Sequence, residues 1–106
     1  MTTEQAGPAT RVRILIAEDQ ALVRRGTALL LSMEPDMEVV GQACDGIEAV
    51  EMAKRLVPEV VLMDLHMPRQ GGVAATREIT STLPGTQVLV LTTLNDDYAL
   101  KPSKSK

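Results

Sequence analysis

Aromatic side chains are nearly absent from the 106-residue sequence, which has one tyrosine, Tyr98, and no tryptophan or phenylalanine. The core must therefore be built from Leu, Val, Ile, Ala and Met. Cysteine is equally rare. Because Cys44 is the only one, the chain offers no internal disulfide and no cysteine pair for a zinc site. We expect Cys44 to be a small buried hydrophobe in a strand.

Long apolar runs and basic charge are also lacking. No stretch approaches the roughly 20 apolar residues that span a bilayer. The first ten residues lack the basic-then-apolar layout of a signal peptide, so a cytoplasmic protein with no membrane role is expected. The net charge of −3 and the pI near 5.1 predict no direct nucleic-acid binding by this chain.

The sequence does contain four short apolar runs, which have the pattern of buried strands. They are Val12–Ala17, Met37–Cys44, Glu59–Met63 and Gln87–Leu91. Segments with helical spacing separate these runs, and Pro35, Pro58 and Pro84 lie where the helices are expected to end.

Apolar spacing also predicts the faces of the three helices. In the first helix, one stripe is formed by Leu22, Gly26, Leu29, Leu30 and Met33, with Arg24 and Arg25 on the other side. In the second helix, the inward residues are expected to be Ile47, Val50 and Val57. The third helix is marked by Val73, Thr76, Ile79 and Leu83.

The order β-α-β-α-β-α-β predicts an α/β fold, in which helices cover both faces of a parallel sheet. We expect one domain over residues 11–97, a loose N-terminal arm over residues 1–10 and an atypical tail over residues 98–106. Right-handed crossovers place the carboxyl ends of all the strands at one edge of the sheet, where ligands bind in such folds.

Polar side chains follow these strand ends. Glu18 and Asp19 follow the first strand, Asp64 the third, and Thr92 the fourth. Each alone is readily explained as a helix cap or a turn residue, but their convergence favours a site. Three close carboxylates repel one another, and an all-oxygen set suits Mg²⁺. Asp64 is then a candidate nucleophile toward phosphorus, with the Thr92 hydroxyl binding a phosphoryl oxygen.

Four segments also carry a resemblance to a known family. They are "ILIAEDQALVRRG", "DGIEAV", "VVLMDLHMPRQGG" and "VLVLTT". In combination they resemble the receiver domain of two-component response regulators, and most closely the subfamily with a LuxR-type DNA-binding output domain. The resemblance runs from Arg13 to Asp97. It implies a doubly wound, flavodoxin-like sheet of strand order 2-1-3-4-5, here with the fifth strand missing or atypical.

The resemblance implies a signalling domain that accepts a phosphoryl group from a sensor histidine kinase and is not itself a conventional enzyme. Asp64 is implied to be the phosphoacceptor and a Mg²⁺ ligand. Asp19 is implied to bind Mg²⁺ directly, Glu18 mostly through water, and His66 through its backbone carbonyl. Thr92 is implied to be the switch hydroxyl. The parent protein is expected to bind DNA through a separate domain.

The loop after the third strand contains Pro68, Gly71 and Gly72, which the resemblance implies shape the site. Glycine there permits backbone angles that other residues avoid. The resemblance also implies that the His66 side chain lies at the mouth of the site, where it tunes hydrolysis of the phosphate and does not act as a base or a metal ligand.

The pattern departs from the family at "LNDDYALKPSKSK". In one alternative, Leu94–Leu100 begins a fourth helix and the remainder is unrelated to the family. In the other, "YALKP" is the fifth-strand motif, with Tyr98 as the switch aromatic and Lys101 as the phosphate-binding lysine. A parallel crossover needs about a dozen residues, which favours the first alternative. Lys101 stays a candidate that reaches the site from the tail.

Two further hypotheses stay open. The fourth strand is expected to form an exposed edge, which invites pairing with a second copy, so the chain is alternatively a dimerisation module that is insensitive to phosphorylation. A Mg²⁺-dependent phosphohydrolase is disfavoured, because such enzymes usually carry a second acid two residues after the nucleophile, where this chain has His66.

Overall fold

The structure is a computed structural model that describes residues 11–67 and 69–91. Four strands alternate with three helices, as the sequence predicts. The elements are β1 (Val12–Ala17), α1 (Ala21–Ser32), β2 (Met37–Ala43), α2 (Gly46–Leu56), β3 (Val60–Asp64), α3 (Gly72–Thr82) and β4 (Gln87–Leu91). None of the helices in these residues is both long and apolar enough to cross a membrane.

The four strands form one parallel sheet in the order β2-β1-β3-β4. The α/β class and this strand order are confirmed. β1 lies beside β3 with Ala17 opposite Met63, so the residues that follow β1 lie next to the last residue of β3. The expected N-terminal arm, the tail at residues 98–106 and the predicted fifth-strand motif lie outside the described residues.

One face of the sheet packs against α2 and α3. Its centre is formed by Leu15 of β1 and by Val61 and Met63 of β3, which are fully buried. Alanines such as Ala53 and Ala75 face them from the helices, so the helices approach the strands closely. Burial of each of the larger side chains contributes about 1.5–3 kcal/mol. This rigid layer fixes the position of the carboxyl end of β3.

The opposite face packs against α1. Ile14 and Ile16 lie against Ala28, with Leu31 beside them. The predicted apolar stripe of α1 does not form this contact, since four of its five members are 66–86% exposed. These four are Leu22, Leu29, Leu30 and Met33. The sheet instead contacts the side of the helix that carries the small Ala28, because a small side chain allows close approach.

Two other predictions about packing are wrong. In α2 only Val50 of the three predicted inward residues is buried, while Ile47 and Val57 are exposed. Val57 is the C-cap in the left-handed region (φ 46°, ψ 63°), so it leaves the helical spacing on which the prediction relied. Cys44 follows β2 instead of ending it and is exposed.

Candidate functional site

The carboxylates of Glu18, Asp19 and Asp64 form a cluster at the carboxyl edge of the sheet. One oxygen from each lies within 4.8 Å of the others. Glu18 and Asp64 are buried and Asp19 is half-buried. The structure thus brings together the three acidic residues that the sequence placed at this edge, because β1 and β3 are adjacent and end at the same level.

Glu18 is held in place through its backbone and its side chain. Its N–H donates to the Ala43 carbonyl (2.9 Å), and its Oε2 accepts from the Gln20 N–H (3.0 Å). Burial raises the pKa of Glu18 above its ordinary value of 4.5, the Gln20 N–H opposes this rise, and the neighbouring Asp64 charge adds to it. The folded protein therefore keeps a carboxyl group here at an electrostatic cost, which a bound cation would relieve.

Arg24 is a residue of the site that sequence reasoning missed. Its guanidinium donates from Nη1 to the Glu18 carbonyl oxygen (2.9 Å), which ties α1 to the end of β1. The apolar spacing of α1 predicts Arg24 on the outer side of the helix. A usable signal existed, since a cation in the first turn of a helix opposes the helix dipole and therefore suggests a specific partner.

The loop after Asp64 turns back onto the end of β3. The His66 N–H donates to Asp64 Oδ1 (3.1 Å), and the Gly72 N–H donates to the Leu65 carbonyl (3.4 Å). A Cβ at Gly72 would lie 2.4 Å from the Asp64 carbonyl oxygen, so only glycine fits there without a backbone shift. The His66 side chain is exposed, while its backbone fixes one oxygen of Asp64.

Several of the residues predicted to act at the site lie outside the described residues. They are Pro68, Thr92, Tyr98 and Lys101. β4 ends at Leu91, which lies opposite Asp64 in the sheet register. Thr92 therefore follows directly, along the chain, a strand residue that is paired with the candidate phosphoacceptor.

The donor chemistry of the cluster fits Mg²⁺. Three carboxylate oxygens within 4.8 Å of one another form a hard, anionic set, and Mg²⁺ prefers one or two carboxylates completed by waters and phosphate oxygens. The pKa of Glu18 is raised, first by burial and also by the neighbouring Asp64 charge. The arrangement is therefore suited to bind a small divalent cation beside a buried aspartate.

Comparisons with known proteins agree with this geometry. A family model described as "Response regulator receiver domain" matches residues 14–104. The transcriptional regulatory protein LnrK of Bacillus subtilis (strain 168) is 47% identical over 85 residues, which are 80% of this chain and 39% of LnrK. The chain thus spans about two-fifths of the length of this relative.

Solved structures give the same result. The chain is similar to a LuxR-family two-component response regulator from Aurantimonas sp. SI85-9A1, with a TM-score of 0.75 and 32% identity over 90% of this chain and 69% of that one. It is also similar to RcsB from Salmonella enterica serovar Typhimurium, solved bound to promoter rprA in the presence of phosphomimetic BeF₃⁻, with a TM-score of 0.73 and 26% identity over 80% of this chain and 44% of that one.

Proposed function

Since the chain belongs to the response regulator receiver domain family, with homologues of the LuxR type, we propose that it accepts a phosphoryl group on Asp64 in a Mg²⁺-dependent reaction. The donor is the phosphohistidine of a sensor histidine kinase. The observation that carries this proposal is the buried Asp64 at the end of β3, with the carboxylates of Glu18 and Asp19 within 4.8 Å.

Asp19, Asp64 and the backbone carbonyl of His66 would hold Mg²⁺ directly, and Glu18 would act mostly through a water. When bound, Mg²⁺ supplies positive charge that offsets the carboxylates and the phosphoryl oxygens. Glu18 is already positioned for this role by the Gln20 N–H and by Arg24, so little rearrangement of the chain is needed when the cation binds.

Asp64 is the nucleophile of the proposed transfer. The His66 N–H binds Oδ1 and orients the carboxylate, so we assign the attack to Oδ2. A bond forms between Oδ2 and phosphorus, while the phosphorus–nitrogen bond of the phosphohistidine breaks. The departing imidazole of the kinase takes a proton from solvent. The product is an aspartyl phosphate at the mouth of the site, next to the exposed His66 side chain.

The remaining roles are assigned to residues that come after β4 in the sequence. Thr92 is proposed as the hydroxyl that binds a phosphoryl oxygen, since it follows Leu91, the partner of Asp64 in the sheet. Lys101 is proposed as a second, cationic contact to the phosphoryl group. Both residues lie outside the described residues, so these two assignments are supported by the sequence and by the family alone.

The wider role that we propose is control of transcription. LnrK is named a transcriptional regulatory protein, and RcsB was solved on a promoter with a phosphomimetic. The chain spans about two-fifths of LnrK and carries a net charge of −3. We therefore assign DNA binding to a separate domain of the longer protein and the phosphorylation switch to this chain.

Intact-mass spectrometry of the full chain with acetyl phosphate and MgCl₂ tests the proposal. Wild type should gain one phosphoryl group, and EDTA should abolish the gain. Asp64→Asn should gain none, because its amide is not a competent nucleophile. Asp36→Asn is the matched control, since Asp36 is exposed and precedes β2 at the opposite edge of the sheet. Labelling of Asp64→Asn equal to that of the control would refute the assignment.

A second candidate function is self-association through β4. The exposed strand residues Leu89, Val90 and Leu91 favour it, since they are 57%, 39% and 40% exposed on the strand that ends the described sheet. Sedimentation of wild type and Asp64→Asn distinguishes the two functions. Dimers that form equally in both proteins, without phosphorylation of wild type, would favour this candidate over phosphotransfer.

A further inference from the structure

An ion pair joins the loop after β3 to the start of α2. Arg69 Nη2 lies 2.9 Å from Asp45 Oδ2, and the Asp45 side chain is 11% exposed, against 59% for Arg69. Asp45 belongs to the "DGIEAV" segment, and Arg69 follows Asp64 by five residues. The pair therefore connects two segments that are distant along the chain, one of which directly follows the candidate phosphoacceptor.

The ion pair lies beside a close contact between backbones. A Cβ on Gly46 would lie 1.8 Å from the Gln70 carbonyl oxygen and 2.6 Å from the Gln70 carbonyl carbon. Because backbone atoms cannot swing aside as a long side chain does, the first residue of α2 must be glycine for the loop to lie where it does. The loop and α2 thus meet through both main chain and side chains.

Asp45 is itself fixed by the helix that it caps. Its Oδ1 accepts from the Glu48 N–H (2.8 Å), while Glu48 Oε1 accepts from the Cys44 N–H (2.8 Å). The pKa of Asp45 is lowered, first by the Glu48 N–H and also by the Arg69 charge. One oxygen of Asp45 therefore caps α2, and the other provides a fixed anionic anchor for the loop.

Arg69 adopts a backbone conformation that needs such an anchor. Its φ of 60° lies in the left-handed region, which side chains of L-residues avoid. Conformations of this kind persist where surrounding contacts over-determine them, and they are common near functional sites. The turn at Arg69 follows His66 by three residues, and His66 holds Asp64 Oδ1 through its N–H.

We propose that Asp45 and Arg69 are positioning residues that set the Mg²⁺ affinity of the site by holding the loop after β3 in its binding conformation. This inference rests on the proposed function, because it takes the His66 carbonyl, on the same loop, as a Mg²⁺ ligand. Neither side chain belongs to the proposed set of Mg²⁺ ligands. Their pair holds the far end of the loop, while the Gly72 N–H to Leu65 contact closes its base.

Titration calorimetry of the full 106-residue chain with MgCl₂ tests the proposal. The variants are Arg69→Gln, Asp45→Asn and the double variant, and Asp45→Asn is chosen because asparagine still caps a helix. Lys54→Gln is the matched control, since Lys54 is 49% exposed, close to the 59% of Arg69, and forms an ion pair with Glu78 (3.1 Å) between α2 and α3. Given the small worth of exposed ion pairs, each single variant should raise the Mg²⁺ Kd about two- to fivefold.

For Arg69→Gln the direction of the change separates positioning from long-range charge, whereas Asp45→Asn should weaken Mg²⁺ binding for either reason. Removing a positive charge near an acidic site should tighten Mg²⁺ binding if only the field matters, whereas loss of the loop position should weaken it. We expect Arg69→Gln and Asp45→Asn both to weaken Mg²⁺ binding. The Kd of the double variant should be no higher than that of the single variant with the higher Kd. Lys54→Gln should bind as wild type does.

Four outcomes overturn the inference. If Arg69→Gln binds Mg²⁺ as tightly as Lys54→Gln does, or more tightly, Arg69 has no positioning role, while the proposed function stands. Additive effects in the double variant show that the two residues do not act through one another. If the variants lose stability in urea but keep the wild-type Kd for Mg²⁺, the ion pair has only a structural role. Absence of Mg²⁺ binding and of Asp64 labelling in wild type refutes the proposed function, and the inference with it.

Discussion

Replacing Asp64 by asparagine should make the metal-free protein more stable, although it removes the proposed activity. Asp64 is buried and its carboxylate lies within 4.8 Å of those of Glu18 and Asp19. Two unit charges at the upper limit of 4.8 Å repel by about 0.9 kcal/mol at the permittivity of water and by about 3.5 kcal/mol at an effective permittivity of 20. Asparagine has nearly the same shape, and its Oδ1 still accepts from the His66 N–H.

We therefore expect Asp64→Asn to raise the free energy of unfolding by about 1–3 kcal/mol in EDTA at about pH 8. Urea unfolding followed by far-UV circular dichroism measures this value, with Asp36→Asn as the control, which should stay within about 0.5 kcal/mol of wild type. Added MgCl₂ should stabilise wild type more than the variant, because the cation binds only the folded site. A variant no more stable than wild type in EDTA would show that the neighbouring carboxylates do not destabilise the protein through Asp64.

Three further predictions concern the site and its supports. Glu18→Gln should change how the free energy of unfolding depends on pH. Because the pKa of Glu18 is raised, wild type loses stability as the pH rises above the ordinary value of 4.5. The advantage of the variant in urea unfolding should therefore grow in that range, and parallel pH curves for the two proteins would contradict this. Asp45→Ala should lower the free energy of unfolding by about 1 kcal/mol, because the Glu48 N–H loses its cap. Asp45→Asn should stay nearer to wild type, and equal losses for the two variants in urea would argue against capping. Ile79→Ala should lower the free energy of unfolding by about 2–5 kcal/mol in the same assay, because this side chain is 1% exposed. A decrease below about 1 kcal/mol would show that the core is packed more loosely than described.

Much of the fold and of the acidic cluster was predictable from the sequence. The apolar runs identify the strands because a parallel sheet is buried on both faces. Once the strands are parallel and adjacent, Glu18 and Asp64 must lie at the same edge. The convergence of carboxylates therefore follows from topology and needs no knowledge of side-chain packing.

The helix faces were less predictable. Periodicity shows that α1 has an apolar stripe, but α1 is apolar on more than one side, and the small Ala28, not Leu22 or Leu29, faces the sheet. The contact between Asp45 and Arg69 was not predictable either. Arg69 reaches Asp45 from a turn in which its own backbone is left-handed, and neither spacing nor composition encodes that turn.

Chemical mapping of the phosphoryl group identifies which residue of the chain is phosphorylated. Wild type treated with acetyl phosphate and MgCl₂ is reduced with borohydride, which converts an aspartyl phosphate to homoserine, and the peptides are sequenced by mass spectrometry. We expect homoserine at position 64 alone, and none when EDTA is present. Homoserine at position 19 or 45 instead, or at position 64 regardless of EDTA, would contradict it.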